Sequence, residues 1–178
     1  MKVKDMTLIA VFVAFITVCS FIRIPFGTIP FTLQTLGVFV TAGIIGARRG
    51  TVSIIVYILL GVIGVPVFGG KGGPGVLAGP TGGYITGFIF TALIIGVTAD
   101  LIKKYNQGIR YAITIASMIL GDAVCFVIGT IQFMKVMDVN FATAIAYCVT
   151  PFIIPDLVKI VIATVFVEKI KKYTKVLN

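Results

Sequence analysis

From Met6 to Ile22 the chain runs seventeen residues without a charge, and five more apolar runs follow it. About twenty apolar residues cross the hydrocarbon core of a bilayer, and roughly 17 is the low end. A membrane β-barrel would instead show weaker alternating segments of about ten residues. Composition agrees, with 58% hydrophobic and 12% charged residues in 178, where a soluble domain is about 45–50% apolar and 25% charged. The expected fold is therefore an all-α, multi-pass membrane protein with one domain over 1–178. Its six expected transmembrane helices cover about 6–22, 33–47, 51–63, 82–99, 111–131 and 155–171. No small-residue cleavage site follows the first run, so it reads as a span and not as a signal peptide.

The net charge of +9 does not point to nucleic acid, because the basic residues fall in short clusters between apolar runs. Eleven lie on one side: Lys2, Lys4, Arg48, Arg49, Lys103, Lys104, Arg110, Lys169, Lys171, Lys172 and Lys175. Three lie on the other, Arg23, Lys71 and Lys135, while Lys159 falls within a span. The positive-inside rule then places both termini in the cytoplasm of a cell-membrane protein. Cys19, Cys125 and Cys148 sit in apolar runs and read as small buried hydrophobes, not as a disulfide framework or a metal site.

Three stretches on the outer side stand out. Arg23 to Gln34 carries Pro25, Gly27 and Pro30 and reads as a turn or extended loop; its Phe31, Thr32 and Gln34 offer an apolar wall and an amide. Residues 69 to 83 hold eight glycines, Gly73 among them. Non-helical backbone at membrane depth is tolerated where it is buried in protein or lines a cavity. This stretch, between the third and fourth spans, is either a re-entrant loop or lid over a pocket, or a flexible external loop. Lys71 is followed by Gly72 and position 65 is Val65, so it is not a P-loop, and Gly73 to Ala78 only half-matches a dinucleotide fingerprint. Tyr84 opens the fourth span beside it. Third, Pro155-Asp156-Leu157-Val158-Lys159 places a carboxylate and an ammonium on one face of a helix start. Pro155 suits the first helical position, and Asp156 faces the positive end of the helix dipole. Charges at membrane depth cost roughly 2.5–3.5 kcal/mol each and tend to face the protein interior. The pair is either a ligand site or a structural ion pair. Asp122, mid-span, is either a second polar contributor or a structural hydrogen-bonding residue. A short helix is expected over 140–149, capped by Asp138 or Asn140 and ended before Pro151.

Catalysis is not expected. The chain has no histidine, which removes Ser–His hydrolysis and HExxH zinc chemistry. A lysine beside Asp156 is wrong for a two-carboxylate protease dyad. No nucleotide motif is present, so the chain cannot power transport alone. In the first span, Ala10 and Ala14 lie one turn apart and let another helix approach closely.

Taken together, Pro30-Phe31-Thr32-Leu33-Gln34-Thr35-Leu36-Gly37, Gly46-Ala47-Arg48-Arg49-Gly50, the Tyr57 to Phe68 segment with Gly61, Gly64 and Pro66, Gly79-Pro80-Thr81-Gly82-Gly83-Tyr84 and Pro155-Asp156-x2-Lys159 resemble the BioY family of biotin transporters. The resemblance runs from about Ala10 to Lys171. It implies an S component of an energy-coupling factor (ECF) transporter, with six membrane helices, binding biotin from outside. It implies association with a transmembrane coupling subunit and two ATPases, docked on the Ala10/Ala14 motif, and contact of Asp156 and Lys159 with biotin. Biotin is then transported ligand; no resident cofactor and no metal is implied. Phe31, Phe68 and Tyr84 suit walls for its bicyclic and aliphatic parts, with Gln34 and the glycine backbone at Gly73 beside them. The alternatives are an S component for another small vitamin and a stand-alone small-molecule facilitator. Asp122 is not part of the family pattern.

Overall fold

The computed structural model describes residues 2–25 and 29–173; Gly27 of the proline loop and Lys175 lie outside them. The elements are helices α1 (Val3–Phe21), α2 (Gln34–Val62), α3 (Pro74–Ala78), α4 (Gly82–Leu101), α5 (Gln107–Met137), α6 (Phe141–Cys148) and α7 (Ile153–Tyr173), with a 3-10 turn, Ile102–Lys104, extending α4. Strands β1 (Arg23–Ile24) and β2 (Phe31–Thr32) pair antiparallel, Arg23 opposite Thr32. Among the described residues the fold is thus helical apart from this short ladder and an isolated bridge between Phe68 and Lys71.

Helix α2 is not straight. Gly46 adopts φ 77° and ψ −175°, a left-handed φ open mainly to glycine. The chain folds back there. The Gln34 amide donates to the Tyr57 hydroxyl at 2.8 Å across 23 residues, a span of about 34 Å in a straight helix. The amide of Ala47, first in the returning arm, has no intrahelical acceptor. Asp100 of α4 accepts from it at 3.0 Å, and a Cβ on Gly46 would stand 2.6 Å from that carboxylate. Hydropathy places the break at Arg48–Arg49; the structure moves it to Gly46, and both arginines lie in the returning arm.

Other ends follow local chemistry. Asn140 accepts from Thr143 N–H at 2.9 Å and opens α6, while Asp138 closes α5 in the left-handed conformation, φ 52°. Of the two expected caps for α6, Asn140 is the one used. Helix α7 starts at Ile153, two residues before Pro155, whose missing N–H still falls in the first turn, where donors are orphaned.

Helix α4 forms the centre, packed on α2 and α5. Helices α1, α2, α4 with its extension, and α5 are each long and apolar enough to cross a membrane. Helix α7 alone carries too many charges; with α6 it forms a fifth candidate, bent by 47°.

The segment that leads into the glycine-rich stretch is anchored at Phe68. Phe68 is buried and its ring meets Tyr57 edge-on at 5.3 Å. It occupies the space where a Cβ on Gly61 would stand. Gly61→Ala must therefore displace the Phe68 ring, a small-to-large change costing about 1–3 kcal/mol. Gly75→Ala meets nothing within 4 Å and should stay within about 0.5 kcal/mol of the parent. Thermal unfolding in detergent should show a lowered midpoint for the first variant and none for the second; equal midpoints would show that Phe68 relaxes freely.

Candidate functional site

At the end of the bundle opposite the α2 fold-back, the C-terminus of α1 meets the N-termini of α2, α4 and α7 around a cavity of about 160 Å³. A buried ion pair lies where α7 faces α2. Lys159 Nζ donates to Asp156 Oδ1 at 2.6 Å and to Thr35 Oγ1 at 3.0 Å. Thr35 in turn donates to Asp156 Oδ1 at 3.4 Å. Asp156 is 3% exposed and Lys159 8%. Bringing such a pair out of water costs several kcal/mol per ion, and removing one partner costs roughly 3–5 kcal/mol because the other is left uncompensated. The arrangement therefore adds little stability, and its polar atoms face a cavity.

Asp122 of α5 also lines the cavity and is buried. Among the described residues its carboxylate has no hydrogen-bond partner, so of its two expected roles the polar contributor to the cavity fits. The walls are aromatic: Phe68, Tyr84, Phe88, Phe126 and Phe152. Tyr84 stands edge-on to Phe126 at 6.3 Å, its hydroxyl lies 3.4 Å from Thr130 Oγ1, and its ring fills the space a side chain at Gly129 would need. The exposed Arg23 and Lys71 line the outer part.

A hydrogen-bonded frame backs the wall beside Phe68. Ser20 Oγ stands 2.6 Å from Val67 O, a bond it can donate, and accepts from Gly69 N–H at 3.1 Å. Tyr57 donates to Val67 O at 2.8 Å. On the far side, Gln132 Nε2 donates to Leu77 O at 2.6 Å and Gly79 O at 2.9 Å.

The structure thus brings Asp156, Lys159, Tyr84, Gln34 and Phe68 to one cavity. Phe31 and Gly73 are not among its lining residues. The Phe31 ring packs on that of Phe152 at 4.5 Å, and Phe152 itself lines the cavity. Gly73, at φ 96°, is the N-cap of α3 and donates to Gly61 O at 2.7 Å. Ala10 and Ala14 lie far from the cavity on the exposed face of α1. Sequence reasoning missed Thr35, Ser20, Phe88, Phe126 and Phe152. Two had a signal: Phe88 follows Tyr84 and Phe126 follows Asp122 at i+4, hence on the same helix faces.

A carboxylate acceptor, an ammonium donor and a hydroxyl, set among aromatic rings, can hold a neutral ring that carries both donors and acceptors.

Comparison with known proteins agrees. The model of the BioY family matches residues 1–176. The biotin transporter BioY of Thermotoga maritima is 39% identical over 164 residues, covering 91% of this chain and 92% of its own. The probable biotin transporter BioY of Pyrococcus horikoshii is 34% identical over 175 residues, covering 98% and 100%. The crystal structure of the S-component for biotin from an ECF-type ABC transporter superposes with a TM-score of 0.87 at 29% identity, over 96% of this chain and 92% of that one. A family match over nearly the whole length, joined to the same fold, establishes that the chain belongs to the BioY family.

Proposed function

We propose that this protein is the biotin-capturing S component of an ECF-type vitamin importer. The observation that carries the reading is the buried Asp156–Lys159–Thr35 cluster beside an aromatic cavity in a chain of the BioY family. Biotin's ureido ring has two N–H donors and one carbonyl acceptor. Asp156 accepts from an N–H, and Lys159 donates to the carbonyl or holds Asp156 ionised. The bicyclic ring lies among Tyr84, Phe68 and their neighbours, and the carboxylate of the aliphatic tail points outward to Arg23 and Lys71.

Two arms of α2, together with α1, α4, α5 and α7, make six crossings. The basic clusters put both termini, and the turn at Gly46, in the cytoplasm. The cavity then opens outward. At about 160 Å³ it is under the roughly 300 Å³ lower bound of small-molecule pockets, so capture moves a wall. The β1–β2 ladder and α3 have no buried residue, which makes them the lid. Energy comes from partners, a transmembrane coupling subunit and two ATPases. The exposed Ala10/Ala14 stripe on α1 gives a partner helix close approach.

Calorimetric titration of the purified protein with biotin tests the reading directly. Asp156→Asn should weaken binding by about 1.5–3 kcal/mol, the worth of a charge-assisted hydrogen bond. Because the variant leaves Lys159 short of its counter-charge, Asp156→Asn/Lys159→Met should be measured beside it. The double variant regains thermal stability but not biotin. Unchanged affinity in both removes the pair from the site.

The tail assignment has its own test. Arg23→Gln/Lys71→Gln should lower affinity for biotin but not for uncharged biotin amide. Equal losses for the two ligands would place the carboxylate elsewhere.

For the docking face, Ala14→Trp should leave biotin binding by the isolated protein intact, while assembly with the ATPase module and ATP-dependent uptake fail. Normal assembly and uptake would move the docking face off this stripe.

A further inference from the structure

We propose a second binding site at the far end of the bundle, in a cleft of about 430 Å³, for the phosphate of an anionic lipid headgroup. The proposal does not depend on biotin being the ligand of the first cavity; it rests on the proposed cytoplasmic placement of this end.

The cleft lies between the N-terminus of α1, the fold-back of α2, the C-terminal ends of α4 and α7, and the start of α5. Five cations and two carboxylates, Asp5 and Asp100, line it. Three of the cations already hold an acid. Arg49 meets Asp5 at 2.7 Å, Lys103 meets Asp100 at 3.1 Å, and Arg110 meets the buried Glu168 at 2.6 Å. Asp100 is doubly engaged, since it also caps Ala47. That leaves Arg48 and Lys171 as cleft cations with no carboxylate within ion-pair distance among the described residues. Lys171 is half-buried, and Arg110 and Lys103 repel its ammonium while Glu168 and Asp100 attract it. An anion between Arg48 and Lys171 neutralises an excess that the protein's own acids do not.

The floor of the cleft says which anion. Ile9, Ile44, Ile45 and Val52 line it beside the cations, so the cleft offers both charge and apolar surface, as a headgroup and the first carbons of its chains require. Basic pockets between membrane helices on the cytoplasmic side are suited to anionic headgroups. Arg48 supplies a planar fork matched to two phosphate oxygens, and Lys171 a point charge.

The test uses the full-length protein in detergent, with binding of dioctanoyl phosphatidylglycerol and dioctanoyl phosphatidylcholine read by native mass spectrometry. The parent should prefer phosphatidylglycerol by about tenfold or more, given two uncompensated cations. Arg48→Gln/Lys171→Gln should lose that preference. Lys104→Gln/Lys172→Gln, which removes the same charge from the same end but outside the cleft, should keep it. Arg48→Lys/Lys171→Arg should keep it too, and Arg48→Gln alone, at an exposed position, serves if the neutralised pair does not fold. Equal loss in the two neutralised pairs shows diffuse attraction and overturns the proposal. Displacement of the lipid by millimolar inorganic phosphate assigns the site to a soluble anion and overturns the lipid source. Equal binding of the two lipids overturns it as well, and leaves the cleft to an acidic segment of a partner protein.

Discussion

Hydrocarbon offers no hydrogen bonds, and that constraint governs each place where this chain stops being helical. An unpaired backbone group costs several kcal/mol at membrane depth. Several of the breaks are accordingly met by a side chain from elsewhere. Asp100 reaches from α4 to the first free amide after Gly46. Ser20 and Tyr57 satisfy Val67, and Ser20 also takes the Gly69 amide. Gln132 satisfies two carbonyls at the C-terminal end of α3. These contacts cross between elements distant in sequence, so the irregular parts of the backbone are the ones that fasten the helices together.

The same scarcity of water sorts the charges. At the cavity end Asp122, Asp156 and Lys159 are buried, and the last two form a pair held at 2.6 Å with a hydroxyl in attendance. At the opposite end the ion pairs are more exposed and more numerous. Exposed pairs of that kind contribute about 0–1 kcal/mol, so their main effect is on the local field. The exception is Glu168, whose side chain is 1% exposed and which meets Arg110 at 2.6 Å and accepts from Thr114 Oγ1 at 3.5 Å.

Much of this was legible in the chain, and the limits have physical causes. Asp156 and Lys159 could be paired from spacing alone, because i, i+3 neighbours meet on any helix. Their third partner, Thr35, could not, since it lies 121 residues from Asp156 and a hydroxyl near a helix start has many uses. The all-helical membrane character followed from run length. The fold-back at Gly46 was displaced to Arg48–Arg49 because hydropathy responds to charge, whereas the turn depends on a left-handed φ and on Asp100. Phe31 looked like a wall because it is aromatic and next to polar groups; periodicity cannot say that its ring turns to Phe152. Pro74 directly after Gly73 was a readable start signal for α3, hidden by the glycines around it.

Helix α1 is the least buried of the long helices, with 28% of its apolar window inside the bundle. Ser20 is fully buried near its C-terminal end, and one oxygen there joins α1 to both Val67 and Gly69. A lightly held rod is thus tethered at its tip to the loop beside the cavity. Ser20 Oγ fixes the loop beside the cavity to the α1 tip, while the rest of the helix is held to α2 by the close approach of Ile16 and Cys19 to Gly37 and by the Asp5–Arg49 pair.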